Sequence, residues 1–147
     1  MTPWLRPATP LDAGQTGAIL HGYLSTTPWI PDLYSAAETV AFCGTMIDRG
    51  WVTVAGQGAR IAGFIARDGD EISALYVDDH ARGQGIGAAL LTAAQQTRPH
   101  LHLWTFQANT AAQRFYERHG FRATHRTDGA GNDQRLPDIH LSWSKGP

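Results

Sequence analysis

Between residues 51 and 79 the hydrophobic pattern of the chain changes from the period of helices to that of strands. "WVTVAG" (51–56), "RIAGFIAR" (60–67) and "EISALYVDD" (71–79) are rich in β-branched and aromatic residues, and "QGA" and "DGD" separate them. Three antiparallel strands joined by tight turns are expected. Upstream, "WLRPAT" (4–9) reads as a short strand, and Asp12 as the N-cap of a helix through "AGQTGAILHGYL". Two prolines in "STTPWIPDLYS" (25–35) predict a loop. In "SAAETVAFCGTMIDRG" (35–50), Ser35 and Glu38 have the spacing of a capping box and Gly50 suits the C′ position, which predicts a second helix.

Downstream, Ile86, Ala89, Leu90, Ala93 and Ala94 form one helical stripe that must pack on a sheet, and the helix should end before Arg98-Pro99. "LHLWTF" (101–106) is a further strand. "NTAAQRFYERHGF" (109–121) carries Asn109 as N-cap and Gly120 as C′ of another helix. "FRATHRT" and "PDIHLSWS" are two closing strands around the polar loop "DGAGNDQRL". This order predicts an α+β domain with a mixed sheet, in which the strand before each late helix runs parallel to its successor.

At 147 residues the chain suits one domain spanning 1–147. With 42% hydrophobic residues, 17% charged residues and a formal net charge of -1, it lacks the basic excess of a nucleic-acid-binding surface. Cys43 is the only cysteine, so a disulfide scaffold is excluded and a reducing cytoplasm is expected. No signal-peptide pattern and no apolar run long enough to span a bilayer is seen, so no membrane partner is expected.

The chemistry concentrates in "RGQGIGAALL" (82–91). Unpartnered backbone N–H groups at a helix start, with the helix dipole, attract anions, and glycines let the backbone approach a phosphate. The segment therefore reads as a phosphate cradle with Arg82 as an added cation, or as a tight strand-to-helix turn holding nothing. A P-loop needs a Lys-Ser/Thr pair after the last glycine, where this chain has Ala88-Ala89. "GQGIGA" (83–88) satisfies the dinucleotide pattern, but no Asp or Glu lies between Asp79 and Glu117 to bind a ribose.

The arrangement resembles the GCN5-related N-acetyltransferase (GNAT) superfamily, whose signature is Gln/Arg-x-x-Gly-x-Gly/Ala after the fourth strand. Arg82, Gly85 and Gly87 match its fixed positions. A second stretch, "NTAAQRFYERHGF", is similar to the family's Asn-x-x-Ala/Gly-x-x-x-Tyr-x-x-x-Gly-Phe helix. The resemblance covers nearly the whole chain. It implies a mostly antiparallel sheet of six to seven strands flanked by about four helices.

It also implies transfer of an acetyl group from acetyl-CoA directly to a primary amine of a small molecule or peptide. The backbone of Gly83, Gln84, Gly85, Ile86, Gly87 and Ala88 would bind the coenzyme's pyrophosphate, bordered by Arg82. The pantetheine arm would pair with backbone groups of Leu75 and Val77, which requires the fourth and fifth strands to splay, with a bulge expected near Val77. The Val77 N–H would stabilise the thioester oxygen as it gains charge. Tyr116, two turns after Asn109 on the same helical face, would protonate the leaving thiolate while Asn109 touches the pantetheine region. Core packing is the alternative role for Tyr116. Glu71 would be the general base, six residues before Val77 and on the same strand face by even spacing; a water chain is the alternative.

Trp29, Tyr34 and Asp138 are candidates for an acceptor pocket, with Asp32 and Asp133 attracting a cationic amine; the aromatics could instead bury a homodimer contact. His100 and His102 share a strand face, but nearby Cys, Asp or Glu do not complete a ligand set and no metal is expected. Cys43 reads as packing. A catalytically silent CoA-binding domain and a nicotinamide-dinucleotide-binding domain are the competing functions.

Overall fold

The computed structural model describes residues 2–146. In chain order the elements are β1 (Trp4–Pro7), α1 (Ala13–Ser25), α2 (Ala36–Asp48), β2 (Val52–Gln57), β3 (Arg60–Asp68), β4 (Glu71–Val77), α3 (Ile86–Thr97), β5 (His100–Phe106), α4 (Thr110–Arg118), β6 (Arg122–Thr127) and β7 (Asp138–Ser144). They form a seven-stranded sheet in the order β1-β2-β3-β4-β5-β7-β6. Among the described residues only β4 and β5 pair in parallel; the other neighbours are antiparallel. Because β7 inserts between β5 and β6, those two strands run in the same direction without touching. This is the α+β architecture expected from the order of periods.

Strand alternation sends apolar side chains to both faces, and helices cover them unequally. On one face Ile19 and Leu20 of α1 and Cys43, Met46 and Ile47 of α2 pack on Val52, Val54, Phe64 and Ala74. On the other, Ile86, Leu90 and Leu91 of α3 and Tyr116 of α4 pack on Ile65, Ile72, Leu101, Leu103 and Leu141. Cys43 is 1% exposed and burial pushes its thiol up, in keeping with a packing role. The Ser35–Glu38 capping box forms as the spacing demands, with Glu38 N–H donating to Ser35 Oγ at 3.1 Å.

Asp12 departs from its expected role. It precedes α1, but its carboxylate makes no cap bond to that helix. It turns back instead, accepting from the Thr9 N–H at 2.7 Å and from Arg6 Nη1 at 2.7 Å and Nη2 at 3.1 Å. A two-pronged guanidinium bond outweighs one neutral cap bond. The same ion pair ties β1 to the start of α1.

Arg6 and the Thr9 backbone lower the Asp12 pKa from 3.8 to about 2. A carboxylate depressed on folding stabilises the fold above its unfolded pKa and loses that contribution as pH falls through the folded value. Arg6→Ala is therefore expected to lower stability at pH 7, by an amount that the half-exposed guanidinium moderates. Urea unfolding of both proteins should show that gap closing as pH falls from about 4 to about 2.

Candidate functional site

β4 and β5 share one ladder position, Glu71 with His102, where the His102 N–H donates to the Asp70 carbonyl at 2.9 Å. Beyond it the strands part around a cleft of about 140 Å³ whose walls include Leu75, Tyr76, Trp104, Phe106, Asn109 and Tyr116. The Asp78 N–H donates across to Ala62 of β3 at 2.8 Å. Because backbone groups alternate sides along a strand, the amides of Leu75 and Val77 then face the cleft.

The cause of the divergence lies elsewhere than expected. Ala66 pairs with Ala74 and Arg67 with Ile72, so the extra residue is Ser73, not one near Val77. A bulge there twists β4 away at the point where pairing with β5 ends. It also reverses the alternation: Ile72, Leu75 and Val77 pack on the α3/α4 side, whereas Ala74 and Tyr76 pack on the α1/α2 side. Glu71 and Val77 therefore lie on opposite faces, correcting the even-spacing expectation.

At the wide end of the cleft, residues 82–85 are exposed and α3 begins at Ile86. Gly83 and Gly85 adopt φ of +78° and +79°, which only glycine takes without strain. A side chain at either position would meet open space, so backbone geometry rather than crowding demands glycine. Among the described residues, the N–H groups of Gly83 to Ala88 make no bond to a loop carbonyl or a side chain. They present the donors that a pyrophosphate needs. Arg82 is exposed and pairs with Asp79, Nε to Oδ1 at 3.0 Å.

Tyr116 is 7% exposed and lines the cleft. Its hydroxyl has no hydrogen-bond partner among the described residues, although it is not sealed from the cleft. Burial pushes its pKa well above the ordinary 10.0, with Tyr76 and Tyr23 adding to the rise, so it stays protonated. Asn109 caps α4 by accepting from the Ala112 N–H at 3.0 Å and donates to Tyr23 Oη at 3.0 Å. Tyr23 packs on Tyr76 with centroids 5.2 Å apart. The sequence reading missed both residues. Tyr76 had a legible signal, being out of phase with Leu75 and Val77; Tyr23 arrives from α1 by tertiary packing alone.

On the α1/α2 side a larger pocket, about 620 Å³, meets the cleft at Ser73, Ala74 and Tyr76. Tyr34 donates to Asp133 at 2.8 Å, closing the α1–α2 loop onto the β6–β7 loop, and Glu38 and Phe42 stand on the same rim. Trp29 sits elsewhere, edge-on to Phe106 at 5.8 Å. Asp138 is turned into its own hairpin, bonded to Thr127 Oγ1 and, at 3.2 Å, to Asn132 Nδ2. Asp32 lines a smaller hollow beside Tyr34. Glu71 is half-buried and makes no hydrogen bond or ion pair among the described residues. No helix among them is long and apolar enough to cross a membrane.

Residues 36–133 match the family model described as an acetyltransferase (GNAT) domain. A peptidyl-lysine N-acetyltransferase of Escherichia coli K12, YiaC, is 37% identical over 86 residues, which are 57% of this chain and 57% of that protein. The matched segment thus spans less than two thirds of that relative's length. The fold is similar to the solution structure of apo YjaB from Escherichia coli, with a TM-score of 0.82, 22% identity and coverage of 99% and 100% of the two chains. A streptothricin acetyltransferase homologue from Bacillus anthracis, solved with acetyl coenzyme A, gives a TM-score of 0.59 at 25% identity over 65% of this chain and 62% of that one. With its glycine cradle, split sheet and matching domain model, the chain belongs to the GNAT acetyltransferase family.

Proposed function

We propose that the protein is an acetyl-CoA-dependent N-acetyltransferase whose acceptor is a primary amine on a lysine-like arm. The observation that carries this reading is the split between β4 and β5. At its wide end stand free glycine amides, within it an unpartnered tyrosine hydroxyl, and on its far side an acid-rimmed pocket. The neighbour solved with acetyl coenzyme A and the relative named for peptidyl-lysine support it. The lone buried thiol suits a reducing cytoplasm.

Acetyl-CoA supplies the activated acyl group. The amides of 83–88 would hold its pyrophosphate with Arg82 beside them, and the amides of Leu75 and Val77 would pair with the pantetheine and receive the thioester oxygen. Tyr116, kept protonated by burial, would donate to the departing sulfur. Glu71, on the acceptor side of β4, would take a proton from the incoming ammonium. Glu38 and Asp133 would attract the cation while Leu20, Leu24 and Phe42 flank its methylenes.

Free-thiol release from acetyl-CoA with a lysine peptide, a peptide N-terminus and a polyamine tests the reading; turnover with the lysine peptide is expected. Binding of CoA without turnover on any amine would favour the silent domain, and binding of NAD in its place the dinucleotide reading. Tyr116→Phe should lower kcat about 100-fold. Since the Tyr116 pKa is raised above 10.0, the wild-type kcat should climb as the amine deprotonates and not turn down below about pH 10. Replacing both Glu38 and Asp133 by their amides should raise the acceptor KM about fivefold, leaving CoA affinity measured by calorimetry unchanged.

A further inference from the structure

The face of β5, β7 and β6 opposite α3 and α4 is not covered by α1 or α2, and it carries a connected row of imidazoles. Ladder register places Trp104 beside His140 and His140 beside His125, with His102 diagonal to His140. His102 Nδ1 lies 3.1 Å from His140 Nε2, His140 Nδ1 lies 2.6 Å from Thr124 Oγ1, and Thr124 Oγ1 lies 2.9 Å from His125 Nδ1. Thr124 is the extra residue of a bulge in β6, which aims its hydroxyl between the two rings. At the other end of the row, His102 is the ladder partner of Glu71.

We propose that His102, His140, Thr124 and His125 form a proton relay that carries the proton accepted by Glu71 from the amine across the sheet face to solvent. The inference rests on the acetyl-transfer reading. In that reaction an ammonium and a thioester give an amide, a thiol and one free proton. The N–C bond forms and the C–S bond breaks. Of the two protons the nitrogen loses, one is balanced by the sulfur through Tyr116 and the other must leave.

The proton taken up by the Glu71 carboxylate must be passed on before the next turnover, and imidazole is the side chain suited to receive it at neutral pH. One set of tautomers runs the three ring contacts in a single direction: His102 Nδ1–H donates to His140 Nε2, His140 Nδ1–H to Thr124 Oγ1, and the Thr124 hydroxyl to His125 Nδ1 at 2.9 Å rather than to the more distant His140 carbonyl at 3.3 Å. That leaves His102 Nε2 free to accept from Glu71, its ladder partner, when the carboxylate, unbonded at rest, turns to it, and His125 Nε2–H, on an exposed strand, to discharge. A proton entering at one end moves each bond one step.

The groups facing His140 are Glu71 from β4, His100 and His102 from β5, and His125 from β6, with the Asp70–Arg98 pair at the edge near His100. Burial and the neighbouring imidazoles lower the His140 pKa against the opposing pull of Glu71, so its neutral, proton-passing form predominates at neutral pH. Across the strands the His140 ring stacks on His125 and is tilted to His102, and no three His, Cys, Asp or Glu side chains among the described residues are placed to hold a metal.

Thr124→Val, a nearly isosteric change on an edge strand, breaks the row far from both pockets. The variant should keep the KM for acetyl-CoA and amine and lose about tenfold in kcat at pH 7 in dilute buffer, and added imidazole should restore the rate. A merely structural role would not give rescue by a proton carrier. Nitrogen-15 NMR of the wild-type protein, which needs no turnover, should find His102 and His140 as Nδ1–H tautomers, with His140 titrating below the ordinary 6.5. An unchanged kcat in Thr124→Val, a loss that imidazole does not rescue, or Nε2–H tautomers at His102 and His140 would overturn the relay. A wild-type protein that releases no thiol on any amine would overturn the acetyl-transfer reading, and the relay with it, even with the expected tautomers present.

Discussion

Among the described residues one parallel ladder position, Glu71 beside His102, joins β4 to β5, and the cleft between the two strands follows from its being alone. A strand edge buried within a domain is costly when its N–H and C=O groups lack partners. Here the amides of Leu75 and Val77 face a cleft in place of a neighbouring strand. Those amides remain available to an extended ligand in place of the strand that β5 does not supply. The extra residue at Ser73 produces this condition by twisting β4 as pairing ends.

The same bulge divides the labour between the faces of β4. Leu75 and Val77 anchor the strand in the α3/α4 core, so the amides between them and β5 are held by rigid packing. Ser73, Ala74 and Tyr76 are turned to the α1/α2 side, where the larger pocket opens. Without the shift of register, Glu71 and Val77 would share a face of the strand. With it they lie on opposite faces, Val77 toward α3 and α4 and Glu71 toward the other side.

Tyr116 illustrates how burial and polarity are balanced at such a site. A buried hydroxyl ordinarily finds a protein partner, and Asn109 lines the same cleft. That amide is instead committed to the α4 N-cap and to Tyr23, which leaves the Tyr116 proton for whatever enters the cleft. Desolvation makes the phenolate unfavourable, so the phenol keeps its proton.

Local rules acting within a few residues were legible in the chain itself: the change of period at 51, the Ser35–Glu38 box, the Asn109 cap, and the glycines that allow a left-handed turn before α3. They follow from backbone sterics and neighbouring hydrogen bonds, so they gave the order of elements and the cradle. Asp12 stands at the N-cap position read for it, but its carboxylate bonds Arg6 of another element instead of the helix. The Ser73 bulge, the Tyr23–Tyr76–Tyr116 grouping, the Tyr34–Asp133 closure and the row from His102 to His125 depend on cross-strand register and on which helix lands on which face. A one-residue slip reverses every side chain of a strand, and nothing local marks it, so only the assembled sheet could decide them.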